Sequence, residues 1–393
     1  MDIYKKLGVR PIINARSYST KAGGCALPAE VLDAMRAAGE SCVRIEDLQE
    51  ASGRVIAETT GAEFGIVTSG ASAALTLAAA ACIAGLDVAR MERLPDTRGM
   101  KNEFVVHRTH RNDYDHALRA AGAKFVETGY SYFTFSREVE EAVTERTCGF
   151  FYQAGAGEGS LSLNEFVSIA HRHGLPVIVD AAAQLPPPAN LRAFIAEGAD
   201  LVAFSGGKHL HGPQATGILC GTSDLILSAS LQHQDMDVFP ETWPRRRLIA
   251  EGIIAGPPHH GIGRGFKVGK EEIAGLIAAL QLYAQRDFEA ERRQWRTDMK
   301  CVVDSVRGLR GVSAEVVCPQ SDGREIPRAV INVDPAVAGL DANAVINALQ
   351  AGEPPICVFE KLARSGAVVI MPEALRPGEA EIIGRRLGEI LQK

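Results

Sequence analysis

Between about residues 50 and 225, short apolar runs alternate with helix-patterned segments, and this alternation constrains the fold more than any other feature of the chain. Strands are predicted at 64–68, 103–107, 124–127, 149–153, 177–180, 201–204 and 217–220, with helices at 71–83, 114–121, 163–173 and 190–197. Parallel strands need a crossover between them, usually a helix. The pattern therefore implies an α/β fold: a doubly wound, mostly parallel sheet that binds its ligand at the carboxyl ends of its strands. After residue 270 the pattern changes. A single helix is expected over 270–309, with Ile273, Leu276, Ile277 and Leu280 on one face. Strands at 313–317, 328–332 and 367–370 and helices at 342–349 and 378–392 follow, a small C-terminal α+β domain. The expected division is an N-terminal arm (1–45), a large domain that includes the bridging helix (46–300) and the small domain (301–393). A chain of 393 residues, 46% of them hydrophobic, can fill two cores.

Three elements in that frame carry chemistry. The run Pro176-Val177-Ile178-Val179 ends on Asp180, and after the next strand comes Ser205-Gly206-Gly207-Lys208. An Asp and a Lys at neighbouring strand ends are what pyridoxal phosphate requires: the carboxylate keeps the pyridine nitrogen protonated, and the lysine attaches the cofactor and moves protons. Upstream, strand 64–68 turns through Ser69-Gly70-Ala71-Ser72 into an Ala-rich helix. Small residues let backbone N–H groups approach an anion, the two serines add hydroxyl donors, and the helix N-terminus contributes positive potential. That turn is the expected phosphate cup. The expected cofactor-binding set is Ser69, Gly70, Ala71, Ser72, His110, Asp180, Ser205 and Lys208, and the catalytic pair is Lys208 and Asp180.

The remaining candidates have plainer readings beside the functional ones. His110 follows a strand and can lie on the pyridine ring, or can be a loop histidine. His209 and His211 flank Lys208 and either touch substrate or satisfy backbone groups. Arg264, in Gly261-Ile262-Gly263-Arg264-Gly265, has the fork geometry for a carboxylate or phosphate, or forms a structural ion pair; Arg16, Lys21 and Lys267 are further candidates for the anion. His259 and His260 lie beside the Arg264 motif. Gln184 either contacts the cofactor or caps a turn. His171 and His173 have a metal-ligand spacing but no third ligand, so no metal is expected.

The formal charge of −6, with no basic block longer than Arg245-Arg246-Arg247, argues against a nucleic-acid partner. The eight scattered cysteines have no CxxC spacing and read as buried or partly buried thiols of a reducing compartment. No signal-peptide core or membrane-length apolar run is present, so a soluble cytoplasmic protein is expected. An N-terminal segment (1–30) with little periodicity of its own is expected to pack on a neighbour, giving a homodimer or a higher symmetric assembly.

Several segments resemble one branch of the fold-type I pyridoxal phosphate enzymes, the selenocysteine synthase and D-glucosaminate-6-phosphate ammonia-lyase group. They are Lys6-Leu7-Gly8-Val9-Arg10-Pro11-Ile12-Ile13-Asn14-Ala15, Gly61-Ala62-Glu63 with Thr68-Ser69-Gly70-Ala71, Ser205-Gly206-Gly207-Lys208 with Gly212-Pro213-Gln214, and the run from Gly261 to Glu272. They cover roughly the first three-quarters of the chain. Only nine residues precede Arg10, where tRNA-dependent members carry a helical region, and 107–116 and 232–237 resemble the lyase side. The run Arg16-Ser17-Tyr18-Ser19-Thr20-Lys21 departs from the group's small-residue pattern and leaves the substrate open. The resemblance implies an α,β-elimination: a small anionic β-hydroxy amino acid or amino-sugar acid is converted to a 2-oxo acid and ammonia. Racemase and aldolase outcomes are alternatives, followed by selenium transfer and a non-catalytic role.

Overall fold

In a computed structural model, residues 3–156, 159–319 and 324–392 are described. The strands are β1 (Ile13–Ala15), β2 (Phe64–Thr68), β3 (Glu103–His107), β4 (Lys124–Thr128), β5 (Thr147–Gln153), β6 (Val177–Asp180), β7 (Leu201–Ser205), β8 (Gly217–Gly221), β9 (Val312–Val317), β10 (Arg328–Val333), β11 (Ile356–Val358) and β12 (Ala367–Ile370). The chain divides into two compact units, Leu27–Ala284, and Met1–Ala26 with Gln285–Lys393. These divisions fall elsewhere than at 45 and 300, because strand β1 pairs with β11 while helix Ala29–Gly39 packs on helix Lys270–Tyr283.

The larger unit is built on a seven-stranded sheet in the order β2-β8-β7-β6-β5-β3-β4. Pairs β3–β4, β3–β5, β5–β6 and β6–β7 are parallel, whereas β8 runs antiparallel to both β7 and β2. The double reversal leaves β2 parallel to the rest. Thr68, His107, Gln153, Asp180 and Ser205 therefore share one edge of the sheet, together with Gly217 at the start of β8. The central strands are sealed on both faces, as their unbroken apolar runs require: β6 is buried at every position. Helix Ala71–Ala84 is buried from Ala73 to Ala81 and again at Ile83 and Ala84, so its alanines permit close approach on all sides. At the outer strand β2, the Gln49 carboxamide accepts from the Val67 N–H (3.0 Å) and donates to the Val67 carbonyl (2.8 Å), pairing backbone groups as another strand would.

In the smaller unit β1 pairs in parallel with β11, and β12-β10-β9 form an antiparallel sheet. The single helix expected over 270–309 is two, Lys270–Tyr283 and Phe288–Ser305; the second starts where the Asp287 side chain accepts from the Ala290 N–H (2.9 Å), an N-cap that ends the continuity. Among the described residues no helix is long and apolar enough to cross a membrane, and all eight cysteines are free. Cys42 is exposed rather than buried or partly buried, because its short connection between helices packs under no other element.

Candidate active site

The strand-end arrangement expected from the sequence is present at one edge of the larger sheet. Asp180 ends β6, is 4% exposed, and accepts one hydrogen bond among the described residues, from the Ala182 N–H to Oδ1 (2.9 Å). Burial raises its carboxyl above the ordinary carboxylate value; the Ala182 N–H and the nearby charge of Lys208 act in the opposite direction. A buried acid with one bonded oxygen and a lysine in electrostatic reach is suited to holding a cation such as a protonated ring nitrogen.

Lys208 lies on the connection between β7 and β8, and the fit of that connection depends on absent side chains. A Cβ on Gly207 would stand 2.6 Å from the Gln214 carbonyl oxygen, and one on Gly206 would stand 2.2 Å from Thr216 Oγ1. Backbone bonds from Gly206 N–H to the Thr216 carbonyl, Gly212 N–H to the Gly206 carbonyl and His211 N–H to the Lys208 carbonyl, each 2.9 Å, fold the loop onto itself. His211 takes a positive φ of 57°, a strained backbone for a residue with a side chain. His209, expected at the substrate, is only 1% exposed and its Nδ1 lies 3.1 Å from the Tyr283 hydroxyl, so its ring anchors the loop to helix Lys270–Tyr283.

The cup turn caps helix Ala71–Ala84 through Gly70, whose φ of 103° favours glycine. Gly217 packs against it so closely that a Cβ there would lie 2.5 Å from the Gly70 carbonyl carbon. Ser69, expected to direct its hydroxyl at an anion, here donates it to the Phe266 carbonyl (2.6 Å). The same carbonyl lies 3.3 Å from His233 Nε2. The Gly261–Phe266 motif thus reaches the cup, a link that sequence spacing did not disclose.

His110 is 1% exposed beside the sheet edge, with its ring edge-on to Tyr152 (4.5 Å between centroids) and to His107 (4.7 Å). Its Nδ1 accepts the Gln153 N–H (3.2 Å), which places the ring proton on Nε2. Burial, with the neighbouring His107, lowers its pKa to about 3, and burial lowers that of His107 to about 4; both rings are neutral. Gln153 continues this line: its Oε1 accepts from Asn112 Nδ2 (2.8 Å) and its Nε2 donates to the Asp180 carbonyl (3.4 Å). Neither Gln153 nor Tyr152 was picked out by sequence reading, although both end a predicted strand.

Arg264 donates through Nη2 to Asp235 Oδ2 (2.9 Å), and His260 Nε2 lies 3.2 Å from Asp235 Oδ1. Its partner is a side chain that is 60% exposed, so the guanidinium is oriented but not sealed. Arg16 belongs to the smaller unit and pairs with Glu360 (2.9 Å), which Lys21 also approaches (3.5 Å). Gln184 donates to the Ala154 carbonyl (2.9 Å), tying a turn. His171 and His173, at the end of their helix, lie 2.9 Å from Asp200 and 2.7 Å from Glu140 respectively, within hydrogen-bond distance.

Comparison with known proteins matches this geometry. A family model described as L-seryl-tRNA selenium transferase matches residues 44–237. A 5'-C-glycyluridine monooxygenase-decarboxylase from Streptomyces sp is 34% identical over 99% of this chain and 92% of that protein. A D-glucosaminate-6-phosphate ammonia lyase from Salmonella typhimurium is 32% identical over 100% of this chain and 98% of that protein. A solved structure of D-glucosaminate-6-phosphate ammonia-lyase superposes with a TM-score of 0.82 at 31% identity, covering 100% of this chain and 98% of that one. A cysteine desulfurase from Escherichia coli, 17% identical with a TM-score of 0.56, shares the fold. The sheet and its connections are thus those of the fold-type I pyridoxal phosphate enzymes. Within them the chain belongs to the selenocysteine synthase and D-glucosaminate-6-phosphate ammonia-lyase group, and the likeness extends over the full chain rather than its first three-quarters.

Proposed function

We propose that this enzyme is a pyridoxal phosphate-dependent ammonia-lyase that performs α,β-elimination on an anionic β-hydroxy amino acid of the amino-sugar-acid type. The observation that carries the reading is the buried Asp180 within electrostatic reach of Lys208, at the same sheet edge as the strand that leads into the Gly70 turn. Pyridoxal phosphate bound there supplies an electron sink for charge developing at the substrate α-carbon. Lys208 would attach the cofactor, and its Nζ would take the α-proton. Asp180 would keep the ring nitrogen protonated, the backbone of 69–72 would receive the phosphate, Ser205 lies at the adjoining strand end, and neutral His110 would contact the ring. The β-hydroxyl leaves as water; hydrolysis then returns one water and releases ammonia with the 2-oxo acid. Arg264 and His211 are the groups proposed for the substrate anion, while His209 holds the lysine loop. The partner is a small molecule, the assembly a homodimer or higher symmetric oligomer, and the compartment the cytoplasm.

A second reading is favoured by the 34% identical relative, whose name denotes an oxidative decarboxylation. Both relatives' names describe an amino acid joined to a hydroxylated sugar skeleton. A panel of such amino acids, followed for ammonia and 2-oxo acid on one side and for oxygen uptake and carbon dioxide on the other, separates the two. Ammonia with 2-oxo acid and no oxygen uptake is expected; oxygen-dependent carbon dioxide release would replace the lyase reading. Borohydride should fix the cofactor on Lys208 in the parent protein, and Lys208→Ala should lose the bound-cofactor absorbance. Labelling of another lysine would overturn the attachment site.

A further inference from the structure

Gln234 follows helix Ser223–His233 and is 5% exposed, yet neither its Oε1 nor its Nε2 has a hydrogen-bond partner among the described residues. Gln232, fully buried, also has an unpartnered Oε1. Buried carboxamides left unpaired destabilise a fold, and an aliphatic side chain of the same length would avoid that cost. The sequence neighbours of Gln234 indicate what the site does. His233 lies against the Phe266 carbonyl, which also takes the Ser69 hydroxyl of the cup, and Asp235 holds Arg264 and His260. Gln234 therefore stands between the two groups that tether the Gly261–Phe266 motif.

Those tethers use groups that an anion competes for. An anion at the cup draws on the Ser69 hydroxyl, and an anion at Arg264 draws the guanidinium from Asp235. Ligand binding thus competes with the tethers on either side of Gln234 in the sequence. We infer that Gln234 is a specificity-determining residue: its carboxamide, donor and acceptor in one plane, takes the hydroxyls of the substrate's sugar-derived chain. This rests on the proposed substrate class and names the residue that reads it.

The test compares Gln234→Met and Gln234→Glu with the parent holoenzyme on D-glucosaminate and on D-serine, which shares the β-hydroxyl but lacks the longer hydroxylated chain. In Gln234→Met the ratio of kcat/KM for D-glucosaminate to that for D-serine should fall about tenfold, the effect of one lost hydrogen bond, while the thermal midpoint without substrate holds or rises. Gln234→Glu, which keeps the acceptor and loses the donor, should fall between the two. An unchanged ratio, or a lowered midpoint with both substrates equally affected, would make Gln234 a scaffold residue and overturn the inference. If the parent turns over neither compound, the lyase reading fails separately. Gln234 is then judged by titrating the cofactor absorbance with D-glucosaminate, and equal binding by parent and Gln234→Met overturns it.

Discussion

At the scale of single residues, the site is defined by groups whose ionisation the fold has biased. Asp180 is raised by burial, so in the cofactor-free protein its carboxylate weakens the folded state at pH above its folded pKa and does not below the ordinary value of 3.8. Asp180→Asn should therefore stabilise the apoprotein at neutral pH, with the gain disappearing on acidification. With cofactor bound the sign should reverse, because the ring cation restores the carboxylate's partner; turnover should fall at least about hundredfold. Thermal melts of apo and loaded protein across pH check both. His107 behaves oppositely: its pKa is depressed to about 4, so the stability it contributes is complete above 6.5 and is lost as pH falls through 4. Both of its ring nitrogens are buried without a hydrogen-bond partner among the described residues. His107→Phe should reduce the fall in melting temperature between pH 6.5 and 4, and an unchanged acid transition would remove His107 as its source. Lys208 and Asp180 could be read from the sequence because each ends or follows a predicted strand. The partners of Ser69, Arg264 and His209 could not, since Phe266, Asp235 and Tyr283 are brought to them only by tertiary packing.

At the scale of elements, strands were legible where burial demands an apolar run, and β2, β3, β6 and β12 begin and end where that run does. Helices Ile45–Thr60 and Ser223–His233 were not legible. The first buries Gln49, Ser52, Gly53 and Thr60 beside Ile56, and the second buries Ser228, Ser230, Gln232 and His233 beside Ile226, Ala229 and Leu231, so polar residues interrupt the buried face of each. The cup depends on two elements meeting without side chains between them. Gly217→Ala would place a methyl 2.5 Å from the Gly70 carbonyl carbon, and that overpacking should cost about 1–3 kcal/mol of stability. Cofactor titration should find its affinity about tenfold lower or worse. A variant that binds cofactor as the parent does would separate the Gly70 turn from the phosphate.

At the scale of the whole molecule, a single copy leaves much apolar surface uncovered. Ile3, Tyr4, Leu7 and Val9 are 52–68% exposed, and Tyr130, Tyr132 and Phe135 are 50–69% exposed. Such surface suits burial against a second copy. Sedimentation with activity measured in the same fractions should find turnover only in the dimer or larger species, and an active monomer would refute it. The smaller unit holds a further consequence, since it is assembled from both ends of the chain: β1 has its pairing partner in β11. On the ribosome, Ile13 emerges long before Ile356, a delay on the order of tens of seconds at ordinary elongation rates. All of residues 27–284 are synthesised within that interval. The larger unit can therefore finish folding while the nascent amino-terminal strand is still waiting, and any chaperone demand during synthesis should centre on that waiting strand.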